Sequence, residues 1–268
     1  MPILKQNNND SIYYQLLDGD ETMPYLVFLH EGLGCCEMWK EFPENLCRIT
    51  GCRGLVYDRI GYGKSSAIKD TRTIHYLHSY ALNELPFVLN EIIPNTPFIL
   101  VGHSDGASIS LIFGSKNEKY LQGIISEAAH VMVEDETCKG ITDADIAWES
   151  GKLSGLYKFH GDKTAQTFKA WSFTWLQPWF KEWSIEYLLP CIEVPILALQ
   201  GTNDQYASIA QIESIQKLSG GKVHSNMLDN CGHTPHLDAN EKVLSLMTAF
   251  VKQYASKKNF SPEEVNIR

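Results

Sequence analysis

No apolar run in this 268-residue chain approaches the roughly 20 residues that a bilayer-spanning helix requires, so no membrane segment is expected. An excess of positive charge is missing as well. Asp and Glu number 32 against 23 Lys and Arg, and the formal net charge of −9 argues against nucleic acid or an anionic membrane surface as partner. The first ten residues, Met1 to Asp10, lack an apolar core and a cleavage site, which argues against a secretory signal. The seven cysteines have no framework spacing and are odd in number, and the adjacent pair Cys35-Cys36 is poorly placed to bridge. Reduced thiols in a cytoplasm are the expectation. There is no internal repeat and no low-complexity stretch.

What is present is an alternation of two periods. Tyr25 to Leu29, Gly54 to Asp58, Phe98 to Val101, Gly123 to Ser126 and Pro195 to Leu199 are short apolar runs of buried-strand type. Between them lie stretches with helical spacing, the longest from Tyr76 to Ile92 with an expected kink at Pro86. Strand and helix in this rhythm imply a mostly parallel sheet with helices on both faces. The rhythm breaks between about Asp135 and Pro190, where five of the six tryptophans fall and no strand is evident. Residues 1–134 and 191–268 are therefore read as one α/β core, and 135–190 as a helical cap inserted into it. The last helix carries an apolar stripe from Val243 to Tyr254, with Asp238 and Glu241 at capping-box spacing, and the polar tail beyond Ser256 is expected to be loose.

Gly102-His103-Ser104-Asp105-Gly106 follows the strand run ending at Val101 and opens a helix, which places Ser104 on a sharp strand-to-helix turn. Side chains at positions 102 and 106 would collide with the neighbouring strand and helix, and the helix N-terminus favours a developing oxyanion. A nucleophilic serine needs a histidine base oriented by a carboxylate, in the chain order serine, acid, histidine. Asp204 follows the strand ending at Leu199, and His233 lies in the loop after the next strand, so both fall on the required ends of the required elements. Glu127, at the end of the strand from Gly123, is the rival acid, and Asp204 is preferred over it.

Together these segments resemble the α/β-hydrolase fold superfamily from about Ser11 to Tyr254. The resemblance extends to His30-Glu31-Gly32-Leu33-Gly34, similar to an H-G-x-x-G oxyanion loop, and to Asp58 to Ser65, similar to a D-x-x-G-x-G-x-S loop. It implies an oxyanion hole made by the backbone N–H groups of Gly32 and Asp105. It also implies a serine hydrolase of esterase type, acting on a small ester, thioester or related acyl compound. The chain is similar as well to C–C bond hydrolases, to the lyase of the menaquinone pathway and to proline iminopeptidases. A small-molecule receptor on a hydrolase scaffold is the non-enzyme alternative.

Glu31 departs from the pattern, standing where many relatives have glycine, and is a candidate substrate contact, with a structural tie to neighbouring backbone as the other reading. Trp171 and Trp175 are candidates to line an apolar pocket over Ser104. Gly61 to Ser65 contains Gly-Lys-Ser without the upstream glycine of a phosphate loop, and His75-x-x-His78 and His233-x-x-His236 lack further metal ligands. No metal and no cofactor is expected, the partner is a small-molecule substrate, and the residues leave the oligomeric state open.

Overall fold

Two strands open the chain, β1 (Ile3–Lys5) and β2 (Ser11–Leu17), and both run antiparallel to their neighbours in the sheet. The computed structural model describes residues 2–6 and 9–255, so the polar tail beyond Ser256 lies outside it. From β3 (Tyr25–Leu29) onward, strands alternate with helices: α1 (Phe42–Thr50), β4 (Arg53–Tyr57), then α2 (Tyr76–Ser79) continuing through a π-helical turn at Tyr80–Glu84 into α3 (Leu85–Ile92). β5 (Phe98–His103), α4 (Asp105–Gly114) and β6 (Leu121–Glu127) follow.

Residues 135–191 contain no strand. They form α5 (Asp135–Glu149), the short α6 (Tyr157–His160), α7 (Thr164–Trp175) and several 3-10 turns. Sheet and helix then resume with β7 (Ile196–Gly201), α8 (Ala210–Leu218), β8 (Val223–Leu228), the single turn α9 (Pro235–Asp238) and α10 (Asn240–Tyr254). The eight strands form one sheet in the order β1-β2-β4-β3-β5-β6-β7-β8, parallel from β4 to β8.

Alternation along each strand builds two cores. Leu26, Phe28, Val56, Ile99, Val101 and Ile125 face α1 and α10, while Val27, Leu29, Leu55, Leu100 and Ile124 face the helices from α2 to α4 and α8. Both faces are covered, which is why the inner parallel strands read as apolar runs, while the edge strand β8 is half-buried and polar. Each such side chain taken fully from water contributes on the order of 1.5–3 kcal/mol. The parallel ladder also has a functional result. Every strand from β3 to β8 points its carboxyl end the same way, and the loops that leave those ends share one edge of the sheet.

Pro86 sits just after the π-helical turn, where the widened backbone accommodates a residue that has no N–H to donate. One local expectation is corrected. Asp238 does not cap the last helix. Its carboxylate accepts the Gly232 N–H at 2.9 Å, and α10 starts after Ala239 without a side-chain cap.

Candidate active site

Ser104 makes the reversal between β5 and α4 alone, with φ +53° and ψ −117°. Such a conformation is strained for a residue with a side chain. The residues two positions either side must be glycines: a Cβ on Gly102 would lie 2.3 Å from the Gly106 carbonyl oxygen, and one on Gly106 2.0 Å from that of Leu29. The Ser104 N–H donates to the Glu127 carbonyl at 2.9 Å, which ties the turn to the end of β6.

The loop after β8 brings His233 to this hydroxyl. Ser104 Oγ lies 2.9 Å from His233 Nε2, and His233 Nδ1 lies 2.9 Å from both carboxylate oxygens of Asp204, which follows β7. Burial by itself would raise the Asp204 carboxyl. The hydrogen bond and charge of His233, with the Tyr206 N–H at 2.9 Å, hold it below the ordinary carboxylate value. Asp204 is thus ionised, Nδ1–H donates to it, and Nε2 is left to accept from the serine. Glu127 serves another histidine. Its carboxylate accepts from the His236 backbone N–H and from His236 Nδ1–H, the latter at 2.8 Å.

The His30–Gly34 loop borders the other side of Ser104. A Cβ on Gly32 would lie 2.4 Å from Trp171 Nε1, so a side chain here would have to displace that indole, and it would come within 3.3 Å of Asp105 Oδ1. The fully buried Arg59 fastens the loop by donating to the carbonyl oxygens of His30 and Glu31. Asp105, in the first turn of α4, has a backbone N–H without an intrahelical partner. Its carboxylate accepts from Tyr76 Oη–H at 2.9 Å, and that phenol oxygen accepts from Trp175 Nε1–H at 2.7 Å, so α4, α2 and α7 are joined. Burial raises the Asp105 carboxyl against the opposing charges of Arg59 and Arg72. Glu31 folds back over Gly34, where a Cβ would lie 2.1 Å from its Oε2, and faces His103 Nδ1 at 3.5 Å.

A cavity of about 90 Å³ opens at Ser104, lined by Glu31, Gly32, His130, Trp171, Trp175 and Tyr206 among others, with Thr137 and Ile141 from α5. No Lys or Arg is part of this lining. Trp179 is 40% exposed and Trp183 is buried in the core, so of Trp171, Trp175, Trp179 and Trp183, which recur every four residues, the first two reach the cavity. His130 and Tyr206 escaped the sequence reading. Both follow the carboxyl end of a strand, β6 and β7, and that placement was the available signal. Burial, with His233 alongside, lowers the His130 pKa to about 3, so its imidazole is neutral. A larger cavity of about 730 Å³ runs between the segment 68–73 and the helix from Tyr76 to Phe87, and includes neither Ser104 nor His233. His75 and His78 pack ring against ring at 5.4 Å, and among the described residues no group of three His, Cys, Asp or Glu is placed to hold a metal ion. No helix among the described residues is long and apolar enough to cross a membrane.

The sheet order and the turn at Ser104 are those of an alpha/beta hydrolase, and the chain belongs to that family of enzymes: the model of the alpha/beta hydrolase fold matches residues 24–172. Among curated relatives, the 2-succinyl-6-hydroxy-2,4-cyclohexadiene-1-carboxylate synthase of Klebsiella pneumoniae is 28% identical over 58% of this chain and 55% of its own length. The chain thus spans about half the length of that relative. The monoglyceride lipase homolog of Monkeypox virus is 22% identical over 90% of this chain and 92% of its own. A thermophilic esterase from Thermogutta terrifontis shares the fold at a TM-score of 0.73 and 17% identity, covering 96% of this chain and 100% of its own.

Proposed function

We propose that this protein is a serine hydrolase that cleaves a small, uncharged carboxylic ester, thioester or related acyl compound through an acyl-enzyme. The observation that carries the reading is the unbroken hydrogen-bond chain from Ser104 through His233 to Asp204. Ser104 Oγ attacks the carbonyl carbon while His233 Nε2 takes its proton, and Asp204 keeps the imidazole in the accepting tautomer and stabilises the imidazolium. The backbone N–H groups of Gly32 and Asp105 receive the oxyanion, each such donor contributing on the order of 3 kcal/mol. His233 returns its proton to the leaving group. Water, deprotonated by the same nitrogen, then releases the acid and restores Ser104.

The lining supports an uncharged substrate. Glu31 and Asp105 contribute carboxylates and no Lys or Arg lines the cavity to meet an anionic ligand, which disfavours a product bearing carboxylate and succinyl groups such as the synthase relative is named for. Residues 135–190 act as a cap in this reading, with Trp171 and Trp175 as acyl contacts. Seven free cysteines, five of them buried, support a cytoplasmic location.

A fluorophosphonate probe is expected to label the wild type and leave Ser104→Ala unlabelled. Turnover of p-nitrophenyl acetate should fall by about 10⁴-fold or more in that variant. Equal labelling of the two proteins would remove the nucleophile. Elimination chemistry is the second reading, favoured by the synthase relative, and turnover with no acyl-enzyme detectable by mass spectrometry would select it.

A further inference from the structure

We infer that His103 is a positioning residue that clasps the loop of Gly32 to the loop of His233, setting the distance between oxyanion donors and base. The inference rests on the proposed roles of Ser104 and His233. His103 is the last residue of β5 and lies on the face of Ile99 and Val101 that packs toward α1 and α10. From there its ring reaches both catalytic loops. Nε2–H donates to the backbone carbonyl of His233 at 2.7 Å, and Nδ1 faces the carboxylate of Glu31, the residue before Gly32, at 3.5 Å.

Nδ1 is buried and makes no hydrogen bond, and the carboxylate 3.5 Å away is the group it faces. A neutral ring that donates from Nε2 would turn the Nδ1 lone pair toward that carboxylate, whereas an imidazolium presents an N–H on both sides. Glu31 is 23% exposed and the His103 side chain only 2%, so the pair is shielded on one side and open to the cavity on the other. The groups around the ring agree. Glu31 comes from the oxyanion loop and Glu127 from the end of β6, while His233, His236 from α9 and Trp39 pack against it with centroids 5.4, 5.0 and 6.2 Å away. His130, beyond β6, is neutral. Burial would lower the His103 pKa, but Glu31 and Glu127 raise it to about 9, and the same pairing brings Glu31 down to about 2. The folded value lies above the unfolded value of about 6.5, so the clasp is complete at neutral pH and is lost as pH rises through about 9.

The test uses p-nitrophenyl acetate hydrolysis from pH 6 to 10 with His103→Gln, His103→Leu, Glu31→Gln and Ser104→Ala. His103→Leu is expected to lower kcat by about a hundredfold with KM within about twofold, the size of effect expected of a displaced catalytic group. His103→Gln, which retains a donor for the His233 carbonyl, should recover part of kcat while losing the alkaline decline near pH 9. Glu31→Gln should move that decline to lower pH, and it reads the clasp even where His103→Leu does not fold. A pH profile of Glu31→Gln that superimposes on the wild type, or wild-type kcat in folded His103→Leu, overturns the inference. Turnover surviving in Ser104→Ala would instead remove the reading beneath it.

Discussion

Two carboxylates at the carboxyl edge of the sheet each hold a histidine, and their substitutions should differ in kind. Asp204→Asn is expected to cut kcat by about 10⁴-fold with the fold intact, because an amide stabilises the wrong His233 tautomer. Glu127→Gln weakens the buried bond to His236 and should lower the unfolding midpoint while leaving fluorophosphonate labelling of Ser104 within a few fold. A dead Glu127→Gln beside an active Asp204→Asn would reverse the assignment. That Ser104, Asp204 and His233 meet was legible because Ser104 and Asp204 follow apolar strand runs, and His233 the polar edge strand β8, in an order that one chemistry demands. The carboxylates of Glu31 and Asp105 were not. Their partners, His103 and Tyr76, come from other segments, and no local spacing encodes a contact between residues 29 apart in the chain, as for Tyr76 and Asp105.

At the scale of elements, α7 covers the cavity with two indoles of different attachment. Trp175 is fixed through its N–H to Tyr76, whereas Trp171 packs its ring against Gly32, Phe168 and Tyr206. Trp171→Ala should therefore enlarge the acyl site without loosening the helix, shifting the ratio of kcat/KM for p-nitrophenyl octanoate over acetate upward by about tenfold or more. An unchanged ratio would place the acyl chain elsewhere. Helix and strand types were readable here because the periods differ, yet their ends were not. Asp238 has the sequence of a cap, but the nearby Gly232 N–H takes its carboxylate, and the π-helical turn before Pro86 leaves no mark in apolar spacing.

For the whole molecule, acid should be more damaging than the net charge suggests. Burial holds His130 neutral down to about pH 3 in the folded state, against about 6.5 unfolded, so its stabilising contribution is complete above about 6.5 and is lost progressively as pH falls toward 3. The loss amounts to roughly a few kcal/mol over that window. His130→Gln should show a smaller fall in urea midpoint between pH 7 and pH 4.5 than the wild type, and parallel falls in the two proteins would exclude it as the source. The α/β alternation that builds the molecule was plain from the apolar runs. Which histidines meet was not, since that depends on how the segments at the ends of β5, β6 and β8 close over one edge.

Four imidazoles gather there: His103 lies 5.0 Å from His236 and 5.4 Å from His233, and His233 lies 5.8 Å from His130, ring centre to ring centre. Ring currents make the magnetic environment of each depend on the placement of the ring beside it. The folded chain thus carries an internal gauge of its own assembly, one in which a small slip of a loop is reported by the resonances of the adjoining imidazoles.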